Sequence, residues 1–361
     1  MNKMLSHFKN KYYKKALKTA GISLLMLSCI GLYAGEDTDI VVAGSNNIVN
    51  CNTTDNNIKN NNIKNNNFKN SILNNNYLNN EINADVEGYV RISSAQDLLS
   101  IKDNPVGHYI LVNDIDMAGY DWTPVEFSGE LEGNGYSILN LTVNSVSQAS
   151  RITYDGNMKT YDTVFSGMFS IIENAAINNL SLINERVAVE TYNNCFVAGI
   201  AGYSDKSTIS GCTVKGTYEL TTGSHMFGVA GVTGFGNGTV QDSDIDVTLI
   251  CTDTNVEDKD EQFMGGVIAD GYMTISNCNI NIAGYDSDHG YVHDGGIIGM
   301  NMPYPKGNQE SGNIRNCTVN GFITFFEDNT DRRAYCSAIY GEMLGGLYVS
   351  NNKESFNRDE R

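Results

Sequence analysis

The sequence predicts an all-β protein: a right-handed parallel β-solenoid (β-helix) of about seven coils over residues 86–350, opened by a short capping helix. Two recurrences predict it. A small residue followed by Gly returns down the chain, and an apolar block with Asn, Asp or Gly before its centre follows each return. The composition agrees, since 36 Gly and only 4 Pro suit short strands joined by tight turns.

Residues 1–34 read as a signal peptide. Lys3, Lys9, Lys11, Lys14, Lys15 and Lys18 form a basic region ahead of an apolar run from Ala20 to about Leu32. That run is short for a membrane span and has the layout of a secretory signal, with cleavage after Ala34. Loss of this segment removes six Lys and no acid, taking the formal charge from −18 to about −24. Met26-Leu27-Ser28-Cys29 has the outline of a lipoprotein box. A lipid on Cys29 is the one membrane contact expected. The chain is thus expected to be secreted or held at a cell surface. Its acidity argues against nucleic acid, because phosphate binding needs clustered Lys and Arg.

Residues 35–85 read as a low-complexity linker, dominated by Asn over 45–83. Ile58, Ile63, Phe68, Leu73 and Leu78 recur every five residues there, which resembles pentapeptide-repeat proteins and offers a short extra coil as the alternative.

Beyond Gly88 the composition changes. Ser94-Ala95-Gln96-Asp97 has the form of a capping box opening a helix with Leu98, Leu99 and Ile101, and Tyr109 to Val112 reads as a strand. A helix placed there covers the open first coil of a stack.

The repeat then runs through Gly129, Gly167, Gly199, Gly231, Gly266, Gly296 and Ala338, spaced by 30–42 residues. The apolar blocks are centred on Leu141, Leu180, Cys212, Ser243, Cys278 and Cys317. Equivalent residues of successive coils lie about 4.8 Å apart in a parallel stack, so each position becomes a ladder. The residues before the centres, Asn140, Asn179, Gly211, Asp242, Asn277 and Asn316, tolerate left-handed backbone and predict a ladder of turns. The Cys share a rung with Leu and Ser and read as small buried hydrophobes. Only Cys278 and Cys317 fall on adjacent rungs, where a disulfide is conceivable. Residues 351–361 read as a polar tail.

The blocks Tyr109-Ile-Leu-Val-Asn-Asp-Ile-Asp116, Trp122-Thr-Pro124, Phe127-Ser-Gly-Glu-Leu-Glu-Gly-Asn-Gly135 and Gly199-Ile-Ala-Gly202 resemble bacterial GLUG-motif proteins. They are also similar to the N-terminal repeat region of immunoglobulin A1 metallopeptidases. The resemblance covers about 86–350 and implies an extracellular β-helix of the kind attached to adhesins or secreted peptidases. It implies no cleavage, because the chain has no His-Glu-x-x-His.

Chemistry is sparser. Asp286-Ser-Asp288-His289-Gly-Tyr-Val-His293-Asp294 places acids beside His, as metal binding or acid–base work requires. By repeat offset Arg333 falls close to His293, so His293, Asp294 and Arg333 are the candidate catalytic cleft of a polysaccharide lyase or glycoside hydrolase. The register also sets His293 on the rung of Phe196, Phe263 and Tyr335, as one ring of an aromatic stack. Asp253, Asn255 and Glu257 lie in an acidic loop reminiscent of calcium sites, without the Gly such loops use. Asp114 and Asp116 fit either a cation or the donors of a turn. The preferred expectation is a non-catalytic, adhesin-like module for an extracellular glycan or host protein, with an enzyme or a passive stalk as alternatives.

Overall fold

The computed structural model describes residues 32–34, 39–44, 47–52, 88–154, 159–254, 260–287, 291–302, 311–325 and 334–360. They belong to two units, 1–81 and 82–361. In the first, Leu32–Ala34, Asp39–Gly44 and Asn47–Asn52 form a three-stranded antiparallel sheet. The composition predicts a signal end and a linker there. The β-branched Ile40, Val41, Val42, Ile48 and Val49 favour the extended pairing of these strands. The rest of the Asn-rich segment and Cys29 lie outside the described residues.

The second unit is a parallel β-solenoid. Among the described residues its strands build three sheets, here A, B and C, of seven, 13 and nine strands respectively. One coil runs Asn194–Ala198 in sheet A, Ala201–Ser210 in sheet B and Thr213–Thr222 in sheet C. The next repeats it as Met226–Ala230, Thr233–Gln241 and Asp244–Asp253. The coils pair in parallel, with Cys195 beside Phe227, Ile209 beside Val240 and Val214 beside Ile245.

Period-2 alternation sends one set of side chains into a continuous core from Ile92 to Ile339. The other set of sheet A forms a second cluster in the crook where A meets B, containing Phe165, Phe196, Phe263 and Phe235, with Tyr203 packed against it. The Gly199-Ile-Ala-Gly202 spacing serves that crook. A Cβ at Gly202 would stand 2.6 Å from Phe165 Cβ, so the corner closes only around Gly.

The helix α1, Ala95–Leu99, covers the first coil with Ala95 and Leu98. Ser94 Oγ accepts from the Asp97 backbone N–H at 3.2 Å, as a capping box requires. The Asp97 carboxylate reaches one residue further back, accepting from the Ser93 N–H and hydroxyl.

The turn ladder is present. Asn179, Asp242, Asn277 and Asn316 have φ between 50° and 57°, and Gly211 has φ 65°; Asn140 is left-handed too, at φ 57°, but lies beside Asn184 rather than in this column. Asn351 continues it at φ 56°. Where the sequence predicts a polar tail, Lys353–Glu360 therefore forms one more strand of sheet C, beside Thr318–Phe325.

The first coil departs from the expected register. Leu131 pairs with Ile177, and Ile138 pairs with Leu182 rather than with Ile177. Leu141 is thus displaced from the column of Leu180, Cys212, Ser243, Cys278 and Cys317, and Gly129 lies beside Ala176 instead of matching Gly167. In this coil Trp122 bridges Val143, and its buried indole N–H donates to the Met168 carbonyl at 2.6 Å.

Candidate functional site

His293 and Asp294 are neighbours on the strand Tyr291–Gly295, so their side chains leave opposite faces. His293 is buried between Phe263 and Tyr335, with ring centroids at 5.0 and 5.7 Å and interplanar angles of 13° and 6°. Its Nδ1 lies 3.0 Å from Glu342 Oε2. Asp294 points the other way, into the core column between Met264 and Cys336. The structure does not bring these two groups together, and Arg333 lies outside the described residues. Asp253 is buried at the end of its strand, while Asn255 and Glu257 lie outside the described residues. Among the described residues no three His, Cys, Asp or Glu are grouped to hold a metal ion.

Asp114 and Asp116 serve turns. Asp114 Oδ1 accepts from the Ser137 N–H at 2.8 Å, and Asp116 Oδ1 accepts from the Asn140 amide at 2.8 Å and the Ala118 N–H at 3.0 Å. The Asn140 bond, then the Ala118 bond, hold the Asp116 carboxyl below the ordinary carboxylate range.

The most developed polar surface is the outer face of sheet C. There the strands alternate Ile or Val inward with polar residues outward, as in Asp244-Ile-Asp246 and Asn279-Ile-Asn281. Parallel pairing lines these up into rungs. One rung runs Thr213, Asp244, Asn279 and Thr318, and the next Lys215, Asp246, Asn281 and Asn320. Asn279 Nδ2 donates to Asp244 Oδ1 at 2.8 Å, and Asn281 Nδ2 to Asp246 Oδ1 at 2.7 Å. Each amide keeps a carbonyl oxygen and each carboxylate further acceptor capacity for a ligand. All of these but Thr318 line a shallow groove of about 350 Å³. Along the same outward rows stand Tyr285, 40% exposed, and Phe322, edge-to-face at 5.6 Å.

A second feature lies in the corner between sheets C and A. His225 Nδ1 is 2.6 Å from Asp260 Oδ1; the Asp side chain is fully buried and the His ring half exposed. Such a carboxylate fixes an imidazole's orientation, as in acid–base and metal-binding sites. The two residues are 35 apart in the chain, and no local motif announces them. The sheet C face had a visible signal, the alternation Asp-Ile-Asp over Asn-Ile-Asn, whose chemistry appears only when strands are stacked.

No family model matches this chain, and no curated protein matches it. Among solved structures it is similar to one described as an IgA1 protease, at 12% identity and a TM-score of 0.41. The match covers 74% of this chain and 21% of that one, so this chain spans about a fifth of its length.

Proposed function

We propose that the solenoid is a non-catalytic binding module, exported and displayed outside the cell, that holds a glycan along the outer face of sheet C. The supporting observation is the groove over two rungs of hydrogen-bonding side chains, repeated at strand spacing beside an exposed aromatic edge. Sugar hydroxyls suit paired carboxylates and amides, and a pyranose face suits Tyr285. The basic, then apolar, N-terminal segment supports export, and the GLUG-like blocks support an extracellular setting.

Retention of the full chain on an array of neutral polysaccharides tests this reading. Asp246→Ala should weaken retention about tenfold or more, since hydrogen bonds to charged groups contribute about 1.5–3 kcal/mol, and Asn281→Ala about two- to tenfold, since a neutral hydrogen bond contributes about 0.5–1.5 kcal/mol. Circular dichroism should be unchanged, both residues being exposed. Binding indifferent to both substitutions would remove the groove from the account.

A further inference from the structure

The outer face of sheet C is a lattice whose two directions differ. Along one strand the polar character ends quickly, as Asn279 and Asn281 give way to Ala283 and Tyr285. Across the strands it persists. Lys215, Asp246, Asn281 and Asn320 follow one another from four successive coils, and the rung beside them runs in the same way from Thr213 to Thr318. Successive coils are about 4.8 Å apart, and the two rungs about 6.6 Å. A ligand following a strand meets two polar positions, whereas one following the stack meets a polar pair at every coil.

A repeating face favours a repeating ligand. Several coils can be engaged at once only by a chain whose own step matches theirs, because any mismatch accumulates from coil to coil. A 1,4-linked pyranose chain with equatorial bonds at both ends of each ring is an extended ribbon, and its advance per sugar is close to the coil spacing. With an axial bond at one end the chain winds into a helix and leaves a flat face within a few sugars. Alternate rings of the ribbon turn opposite edges to each side. The rungs tolerate this, because Asn279 and Asn281 each keep a donor and an acceptor beyond their bonds to Asp244 and Asp246.

Charge and register narrow the ligand further. Asp244 and Asp246 outnumber Lys215 in the groove, so a polyanionic chain is opposed and a neutral one fits. In the coil before, Ile183 stands where Lys215 stands and ends the polar rung on that side.

Building on the reading of this face as a glycan site, we infer that its ligand is a neutral, extended, equatorially 1,4-linked polysaccharide. It lies along the solenoid axis, one sugar to each coil from Lys215 to Asn320.

Calorimetric titration of the full chain tests this, with cello-oligosaccharides of increasing length set against malto-oligosaccharides of the same lengths. Affinity for the cello series should rise about two- to tenfold with each sugar from dimer to tetramer, as one neutral hydrogen bond after another is added. The malto series should show no such rise. Asn320→Ala should abolish the gain from trimer to tetramer and leave the dimer unchanged, because shorter chains keep the coils of Lys215, Asp246 and Asn281. The tetramer cannot recover the loss by sliding the other way, where Ile183 stands. Asn320 is exposed, and circular dichroism of the variant should match the wild type. Cello-oligomers bound without dependence on length, malto-oligomers bound equally well, or a tetramer gain that survives Asn320→Ala would overturn the axial arrangement and leave the glycan site standing. So would silence toward both series from a protein that still retains another polysaccharide. Retention of no polysaccharide at all would remove the glycan reading itself, and this inference with it.

Discussion

Glu185 shows how one residue's backbone decides its chemistry. Asn184 takes φ 57°, and the pairing between Ile183 and Glu185 slips at that point. The bulge turns Glu185 inward, where it is fully buried and accepts a hydrogen bond from Tyr218 Oη at 2.8 Å. Burial raises its pKa from 4.5 to about 8, the Tyr218 bond opposing the shift. The folded protein therefore holds a proton that the unfolded chain releases at lower pH. Its stabilising effect is complete below about pH 4.5 and is lost as pH rises through about 8. The interval corresponds to roughly 5 kcal/mol as an order of magnitude. Urea unfolding of the wild type should show stability falling between pH 5 and pH 9. Glu185→Gln, which cannot ionise, should flatten that slope and be the more stable protein at pH 9. An unchanged slope would mean that Glu185 is not the group responsible.

At the scale of the element, the turns of sheet C are set by left-handed Asn linked from coil to coil. Asn277 donates to Asp242 at 2.9 Å and accepts from Asn316 at 3.2 Å. Asn277→Gly loses these exposed bonds but keeps a residue at ease with φ 57°. Asn277→Ala loses the same bonds and adds about 1–2 kcal/mol of backbone cost. The melting point should thus fall further for Ala than for Gly, and the reverse order would show that the left-handed backbone at this turn does not restrict the residue type. This ladder was legible in the sequence because a left-handed position restricts residue type at every repetition. The aromatic row through Phe263, His293 and Tyr335 was legible for the same reason, since stacking repeats like with like. The first coil was not, because Gly129 imitates the later motif while the strands around it pair in a different register. Glu130, where later coils carry an apolar residue, was the visible sign. The binding face had no signature of its own, as Asp244, Asp246, Asn279 and Asn281 become one surface only through a register that joins residues 35 apart. His293 and Asp294 are adjacent in the chain, and on a strand that adjacency sends their side chains to opposite faces.

At the scale of the whole molecule, the question is whether the coils unfold together. A single coil cannot bury its apolar face, so its own stability is unfavourable and the interfaces between coils decide the outcome. Those interfaces are continuous here, because the core runs unbroken from Ile92 to Ile339 and strand pairing accompanies every step. Strong nearest-neighbour terms between weak units give a cooperative transition. The protein carries its own reporter, since Trp122 is its one Trp and lies buried in the early coils. Ile280 lies five coils later and is 1% exposed. Ile280→Ala should cost about 2–4 kcal/mol through lost burial and the cavity left behind. If the stack is cooperative, Trp122 fluorescence and far-UV circular dichroism share one denaturation midpoint, and the distant substitution lowers both by the same amount. A Trp122 transition left in place while the circular dichroism splits into two steps would show coils that melt separately, with the interfaces weaker than their continuous packing implies.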